Sequence, residues 1–217
     1  MHAMAARAWG VSLLWAGVAL STAHAQSLPS WPGKPVRYIV PFPPAGSPDI
    51  IARLLTERLS KLWGQQVVVD NRSGAGGAMG AAFAARQPAD GYTLFQCNIA
   101  SSAIAEALYL KPGYDHQRDF APISLIGKTA NVLVSHPSLP ARVPKELIAY
   151  ARANPGKLSY GTSPPGTSQH LVMEFLKLHF GVRIEHVAFK GAQHALTEVI
   201  GGLIPLSVQS APGVLST

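Results

Sequence analysis

From Val36 onward, short runs of β-branched and aromatic residues alternate with segments whose apolar residues recur at helical spacing. This alternation constrains the chain more than any other feature, because strand, helix and strand in succession read as parallel crossover units. The expected class is α/β with mainly parallel sheets. Strands are expected at Val36–Val40, Gln66–Asp70, Tyr92–Cys97, Ala130–Ser135, Leu158–Gly161, Arg183–Phe189 and Ile204–Gln209. Helices are expected at Pro48–Trp63, Pro144–Ala153 and Ser168–Phe180, stopped by Gly64, by Asn154-Pro155-Gly156 and by Gly181. The first of these places Ile50, Ile51, Leu54, Leu55, Leu59 and Leu62 on an apolar face, opposite Arg53, Glu57 and Lys61. There is no solenoid repeat, but Tyr38–Trp63 and Leu158–Phe180 are loosely similar units of strand, loop and helix.

The first 25 residues read as a signal peptide: Arg7 precedes an apolar run from Trp9 to Leu20, and Ala23-His24-Ala25 fits a small-x-small cleavage site. That run is shorter than the ~20 residues of a membrane span, so an exported, periplasmic product is expected. A single cysteine, Cys97, excludes an intramolecular disulfide framework, and its apolar setting predicts burial. The formal charge of +7 comes from lysines and arginines scattered singly. Without a basic stripe, nucleic acid is not an expected partner.

Two loops concentrate helix-starting chemistry. In "PFPPAGSPD", Gly46 gives backbone freedom, Ser47 is a candidate N-cap, Pro48 suits the first helical position and Asp49 acidifies the first turn. In "GTSPPGTSQH", Pro164 and Pro165 stiffen the loop, and Thr167 or Ser168 is positioned to cap the next helix. Helix N-termini present unpaired N–H groups and about half a positive charge, so two of them converging would bind carboxylate or phosphate. Ordinary turns in any α/β protein carry the same caps and breakers, and the residues alone leave both readings open.

Enzyme signatures are weak. "NRSGAGGAMG" follows a strand and opens a helix, but Gly74, Gly76 and Gly80 are spaced G-x-G-x-x-x-G, and no acidic residue ends a following strand. Gly161-Thr162-Ser163-Pro164-Pro165 lacks the second glycine of a nucleophile elbow. His170 and Glu174 are spaced i, i+4 without a third metal ligand in view, which favours an exposed helical pair. His136, His179, His186 and His194 have no acid partner within local reach. An exported α/β enzyme holding a dinucleotide at Gly74–Gly80 stands as the alternative to a binding protein.

Several stretches together resemble the periplasmic solute-binding receptors of tripartite tricarboxylate transporters, also called Bug proteins. They include "WPGKPVRYIVPFPPAGSPDIIAR", "VVVDNRSGAGGAMGAAFAARQPADGYTL", "ALYLKPGYDHQRDFAPISLIG", "NVLVSHPSLPARVPKELIAYARANPGKLSYGTSPPGTSQHL" and "HVAFKGAQHALTEVIGG". The resemblance implies a type II periplasmic binding fold that closes on a small carboxylate and presents it to membrane permease subunits, with no catalysis, no cofactor and no metal. It implies a monomer with a first lobe over residues 26–123 and a second over residues 124–217. Carried over by position, the expected ligand residues are Pro44, Ala45, Gly46, Ser47 and Asp49 in the first loop and Thr162, Ser163, Gly166, Thr167 and Ser168 in the second, with Ser101 and Gln209. Backbone N–H groups would do most of the holding.

The chain departs from that pattern at Ala45 and Pro164, where glycine is usual, and at Ser101, Ser102 and Ala105, where a Thr-His…Asn pattern is usual. Gln209 lies near a position often held by aspartate, which would favour plain carboxylates over amino-bearing ligands. Family members also continue about a hundred residues past Gly202 and return to complete the first lobe. A C-terminally incomplete fold of low stability, or a truncated and non-functional receptor, is therefore also expected.

Overall fold

The computed structural model describes residues 31–215, and the expected signal peptide at residues 1–25 lies outside them. The first sheet contains β1 (Val36–Val40), β2 (Val67–Asn71) and β3 (Thr93–Phe95), in the order β2-β1-β3. All pairings are parallel, with Val36 opposite Val67 and Arg37 opposite Thr93. Parallel neighbours require helical crossovers, here α1 (Ser47–Trp63) between β1 and β2 and α2 (Ala78–Ala85) between β2 and β3. The central strand is accordingly the most buried: Val36, Ile39 and Val40 are fully enclosed.

Helix α1 covers the face presented by Val36, Tyr38 and Val40, but not with the expected stripe. Its buried side is Ala52 and Thr56, supported by Leu55, Leu59 and Trp63, whereas Leu54 and Leu62 are exposed. The i, i+3, i+4, i+7, i+11 series starting at Ala52 is the one that faces the sheet. Gly64 ends the helix in the left-handed conformation at φ 64°. Helix α2 is nearly all alanine and glycine, and small side chains permit its close approach to the loop after β1. A Cβ on Gly80 would lie 2.6 Å from the Arg72 carbonyl oxygen and 2.9 Å from Pro41 Cα.

The strand expected to run to Cys97 ends at Phe95. Gln96 N makes the last rung to Ile39 O at 2.9 Å, and Asn98 then turns the chain by accepting from Ala100 N and Ser101 N. Cys97 therefore leaves the sheet and is exposed, contrary to its expected burial. A π-helical segment, Ala100–Ile104, leads into α3 (Ala105–Leu108), followed by α4 (His116–Asp119). Residues 121–130 have no regular structure and are exposed throughout.

The second sheet contains β4 (Asn131–Ser135), β5 (Leu158–Thr162), β6 (Ile184–Ala188) and β7 (Leu206–Ser210), in the order β4-β7-β5-β6. Only the β4–β7 pair is antiparallel. Helices α5 (Pro144–Ala153), α6 (Ser168–Phe180), α7 (Ala192–Ile200) and α8 (Ala211–Leu215) complete the described chain. The core here is larger, with Leu147, Leu158, Tyr160, Met173, Ile184, Leu206 and Val208 all buried in one cluster. At about 1.5–3 kcal/mol for each large apolar side chain removed from water, this cluster is the main support of the second sheet.

Candidate functional site

The loop after β1 is shaped by a carboxylate that it encloses. Asp49 is 2% exposed, and its Oδ2 accepts from Ala45 N at 3.0 Å and Arg53 Nε at 2.8 Å. Its Oδ1 accepts from Asn71 Nδ2 at 3.0 Å, and the same amide nitrogen donates to Phe42 O at 3.0 Å. Burial pushes the Asp49 pKa up, but the hydrogen bonds from Arg53, Ala45 and Asn71 outweigh it and hold the carboxyl below its ordinary range. Ala45 is held at φ 63°, a left-handed conformation that glycine adopts without penalty. The N-cap of α1 is Gly46, with no side-chain cap. Ser47, expected to cap, instead sits one residue inside the helix and bonds its hydroxyl to Ser210 Oγ at the end of β7.

The loop after β5 is tied to the sheet behind it. Thr162, Ser163 and Thr167 are buried. Thr162 Oγ1 donates to Ser163 O at 2.7 Å and stands 2.8 Å from His186 Nε2. With the hydroxyl proton committed to Ser163, Nε2 must donate, which sets the Nε2–H tautomer of the neutral His186 ring. Gly166, at φ 88°, donates its N–H to His170 Nδ1 at 3.4 Å, and Thr167 Oγ1 donates to Pro164 O at 3.0 Å. Thr167 is the N-cap of α6 without a side-chain bond, and Ser168 begins the helix with its hydroxyl turned to Gln169.

His170 and Glu174 are not the exposed pair expected from spacing. They belong to a partly buried network in which Glu174 Oε1 accepts from Tyr160 OH at 2.6 Å and Lys177 Nζ at 2.7 Å, with His170 Nε2 at 3.8 Å. Burial raises the Glu174 pKa, but these donors outweigh it and hold the carboxyl low. The His170 and His186 rings lie 4.5 Å apart. Burial lowers both histidine pKa values, that of His186 to about 4, with added repulsion from His170. Among the described residues no cluster of three or more metal-ligating side chains occurs.

A cleft of about 530 Å³ opens between these loops, lined by Pro41, Phe42, Pro43, Ser73, Gly74, Ala75, Gly76, Gly77, Pro164, Lys190 and His194. Its volume suits a small organic ligand. The wall before α2 is almost bare backbone: Gly74, Ala75, Gly76 and Gly77 all have positive φ, and Gly77 is an N-cap with no side-chain bond. Gly77 N donates within the turn to Gly74 O at 2.9 Å, which leaves the N–H groups of Ala75 and Gly76 to form an anion-binding concavity. Pro43 and Pro164 bring one residue from each proline-rich loop to the cleft. None of the residues expected to hold ligand is among the lining residues. Pro44 and Ala45 are exposed beside the cleft-lining Pro43, and Ser101 is fully buried behind Gly77, whose Cβ would meet Ser101 Cβ at 3.2 Å. Gln209 is 1% exposed and gives its amide N–H groups to Ala192 O at 2.8 Å and Ser207 Oγ at 2.6 Å.

Sequence reasoning considered the glycine run only as a dinucleotide loop and His194 only as a histidine without an acid partner, and it did not single out Lys190. "FKG" after β6 is a third strand, loop and helix unit of the same kind as the two recognised, and the same rule applied to it would have marked Lys190.

Residues 51–217 match the model of the tripartite tricarboxylate transporter family receptor. The chain belongs to that family. Protein BugT of Bordetella pertussis is 36% identical over 208 residues, spanning 95% of this chain and 62% of its own length. A solved periplasmic transporter is 43% identical with a TM-score of 0.81, and an R. palustris protein solved with adipate is 38% identical with a TM-score of 0.82. Each of these two alignments covers 84% of this chain and 61% of the other. The chain thus spans about three fifths of the length of these relatives, and the periplasmic binding fold implied by the resemblance is the fold that its solved relatives share.

Proposed function

We propose that this chain is a periplasmic receptor that captures a small carboxylate in the cleft between its two sheets for delivery to transporter permease subunits. In this reading the lobes join through the irregular residues 121–130, which contain the 123/124 boundary. The observation that carries the reading is the cleft itself. One wall is a run of positive-φ backbone at Gly74–Gly77, no acidic side chain among the described residues lines the cleft, and Lys190 and His194 stand on another wall. Such a site favours an anion held chiefly by N–H groups. The adipate in the R. palustris relative is an anion of this class. Asp49, Thr162, Thr167 and Gln209 then act by holding the loops rather than by touching ligand.

The test is a thermal-shift titration with a series of mono-, di- and tricarboxylates. A ligand at about a hundred times its dissociation constant stabilises the folded state by about 2.7 kcal/mol. For a chain of this size that is a rise of about 5–10 °C. No shift with any carboxylate at millimolar concentration refutes the receptor reading.

A further inference from the structure

Among the described residues, Lys190 and His194 are the titratable side chains that line the cleft. They are spaced i, i+4 across the start of α7, and among the described residues neither has a hydrogen-bond or ion-pair partner. Their base is fixed on both sides. Phe189 N donates to Thr162 O at 2.9 Å, Gln209 Nε2 donates to Ala192 O at 2.8 Å, and Gln193 Nε2 donates to Gly213 O at 2.9 Å. A Cβ on Gly191 would stand 3.4 Å from Pro43 Cγ, so this segment abuts the loop after β1 across the cleft. Two rigidly mounted, unpartnered side chains of basic character therefore share the cavity with a wall that offers only backbone.

We infer that Lys190 and His194 form a second anion subsite that selects ligands carrying two acid groups over ligands carrying one. This rests on the carboxylate-receptor reading above and adds to it which residues read the second charge. One carboxylate lies on the glycine wall and the other between the ammonium and the imidazole. A backbone wall alone does not discriminate the far end of a ligand, whereas an ammonium beside an imidazole does, because a ligand without the second acid leaves Lys190 nothing to bind.

The experiment is isothermal titration of the full chain with adipate and with hexanoate, which has the same carbon count and one acid fewer. It is run on the wild type, on the double variant Lys190→Met with His194→Asn, and on Lys157→Met, which removes a positive charge from an exposed residue that does not line the cleft. The wild type and Lys157→Met are expected to bind adipate at least about tenfold tighter than hexanoate. In the double variant the ratio is expected to fall to within about threefold through loss of adipate affinity, hexanoate being unchanged. A preserved ratio in the double variant overturns the assignment, as does equal binding of both acids by the wild type, which leaves the carboxylate reading standing. Absence of binding by either acid overturns the assignment together with that reading.

Discussion

Replacing Asp49 by asparagine changes one atom and one charge while leaving volume intact, which isolates what the buried carboxylate does for the loop after β1. Its two oxygens face only donors: Ala45 N and Arg53 Nε on Oδ2, and Asn71 Nδ2 on Oδ1. A carboxamide offers one oxygen. If it serves Ala45 and Arg53, its NH2 meets Asn71 Nδ2, and Asn71 cannot turn over because its nitrogen also serves Phe42 O. The Arg53 contact contributes little, since that guanidinium is 58% exposed. What remains is one opposed donor pair in a buried site and the loss of charge assistance to Ala45 N, about 2 kcal/mol together. For a chain of this length that lowers Tm by about 4–8 °C. Asp49→Ala, which also orphans Ala45 N, is expected to cost about 3–4 kcal/mol. Differential scanning calorimetry of both variants provides the measurement, with adipate affinity followed in parallel. An asparagine variant that melts within a degree of the wild type would refute the account of Asp49 as the loop's organising acceptor.

Acidification tests the histidine network. His186 titrates at about 4 in the fold and near 6.5 when unfolded, so between these values the unfolded chain binds more protons. Stability conferred by the neutral ring is complete above pH ~6.5 and lost as pH falls towards 4, by about 1–2 kcal/mol after allowance for solvent screening; urea midpoints across that range are expected to fall more in the wild type than in His186→Gln. Gly80→Ala is expected to cost more than 2 kcal/mol by driving a methyl group against Arg72 O and Pro41, while Gly64→Ala, with open space around it, costs only the roughly 1 kcal/mol of its left-handed φ. Ala45→Gly relieves the strain at φ 63° and is expected to raise Tm slightly, since that strain of about 1–2 kcal/mol exceeds the 0.4–1 kcal/mol of added unfolded-chain entropy.

The strands, the parallel crossovers and the ends of α5 and α6 were legible because each depends on local signals: β-branched runs, helical spacing, proline at a helix start and glycine past its end. The face of α1 was not, because Leu54 and Ala52 compete for the sheet, and the winner depends on how closely the helix can sit over β1. Cys97 was misread for a similar reason, since its apolar neighbours belong to a strand that ends two residues earlier. At the site, the two proline-rich loops were recognisable from their capping chemistry, yet which of their residues reach the cleft depends on tertiary bonds such as those of Asp49 to Asn71 and His186 to Thr162. Those partners are far apart in sequence and leave no local trace. Lys190 and His194 read as ordinary surface residues until the cleft gives them a setting.

Gly76 carries a further consequence. A Cβ placed on it would stand 3.2 Å from the carbonyl oxygen of Pro165, in the loop that leaves the second sheet. The bare backbone at this position is thus a limit stop between the two sides of the cleft, and any side chain introduced there acts as a shim that sets a minimum aperture. Residue 76 offers a means of tuning how far the two sides can shut without altering any atom that lines the cleft from Lys190 or His194.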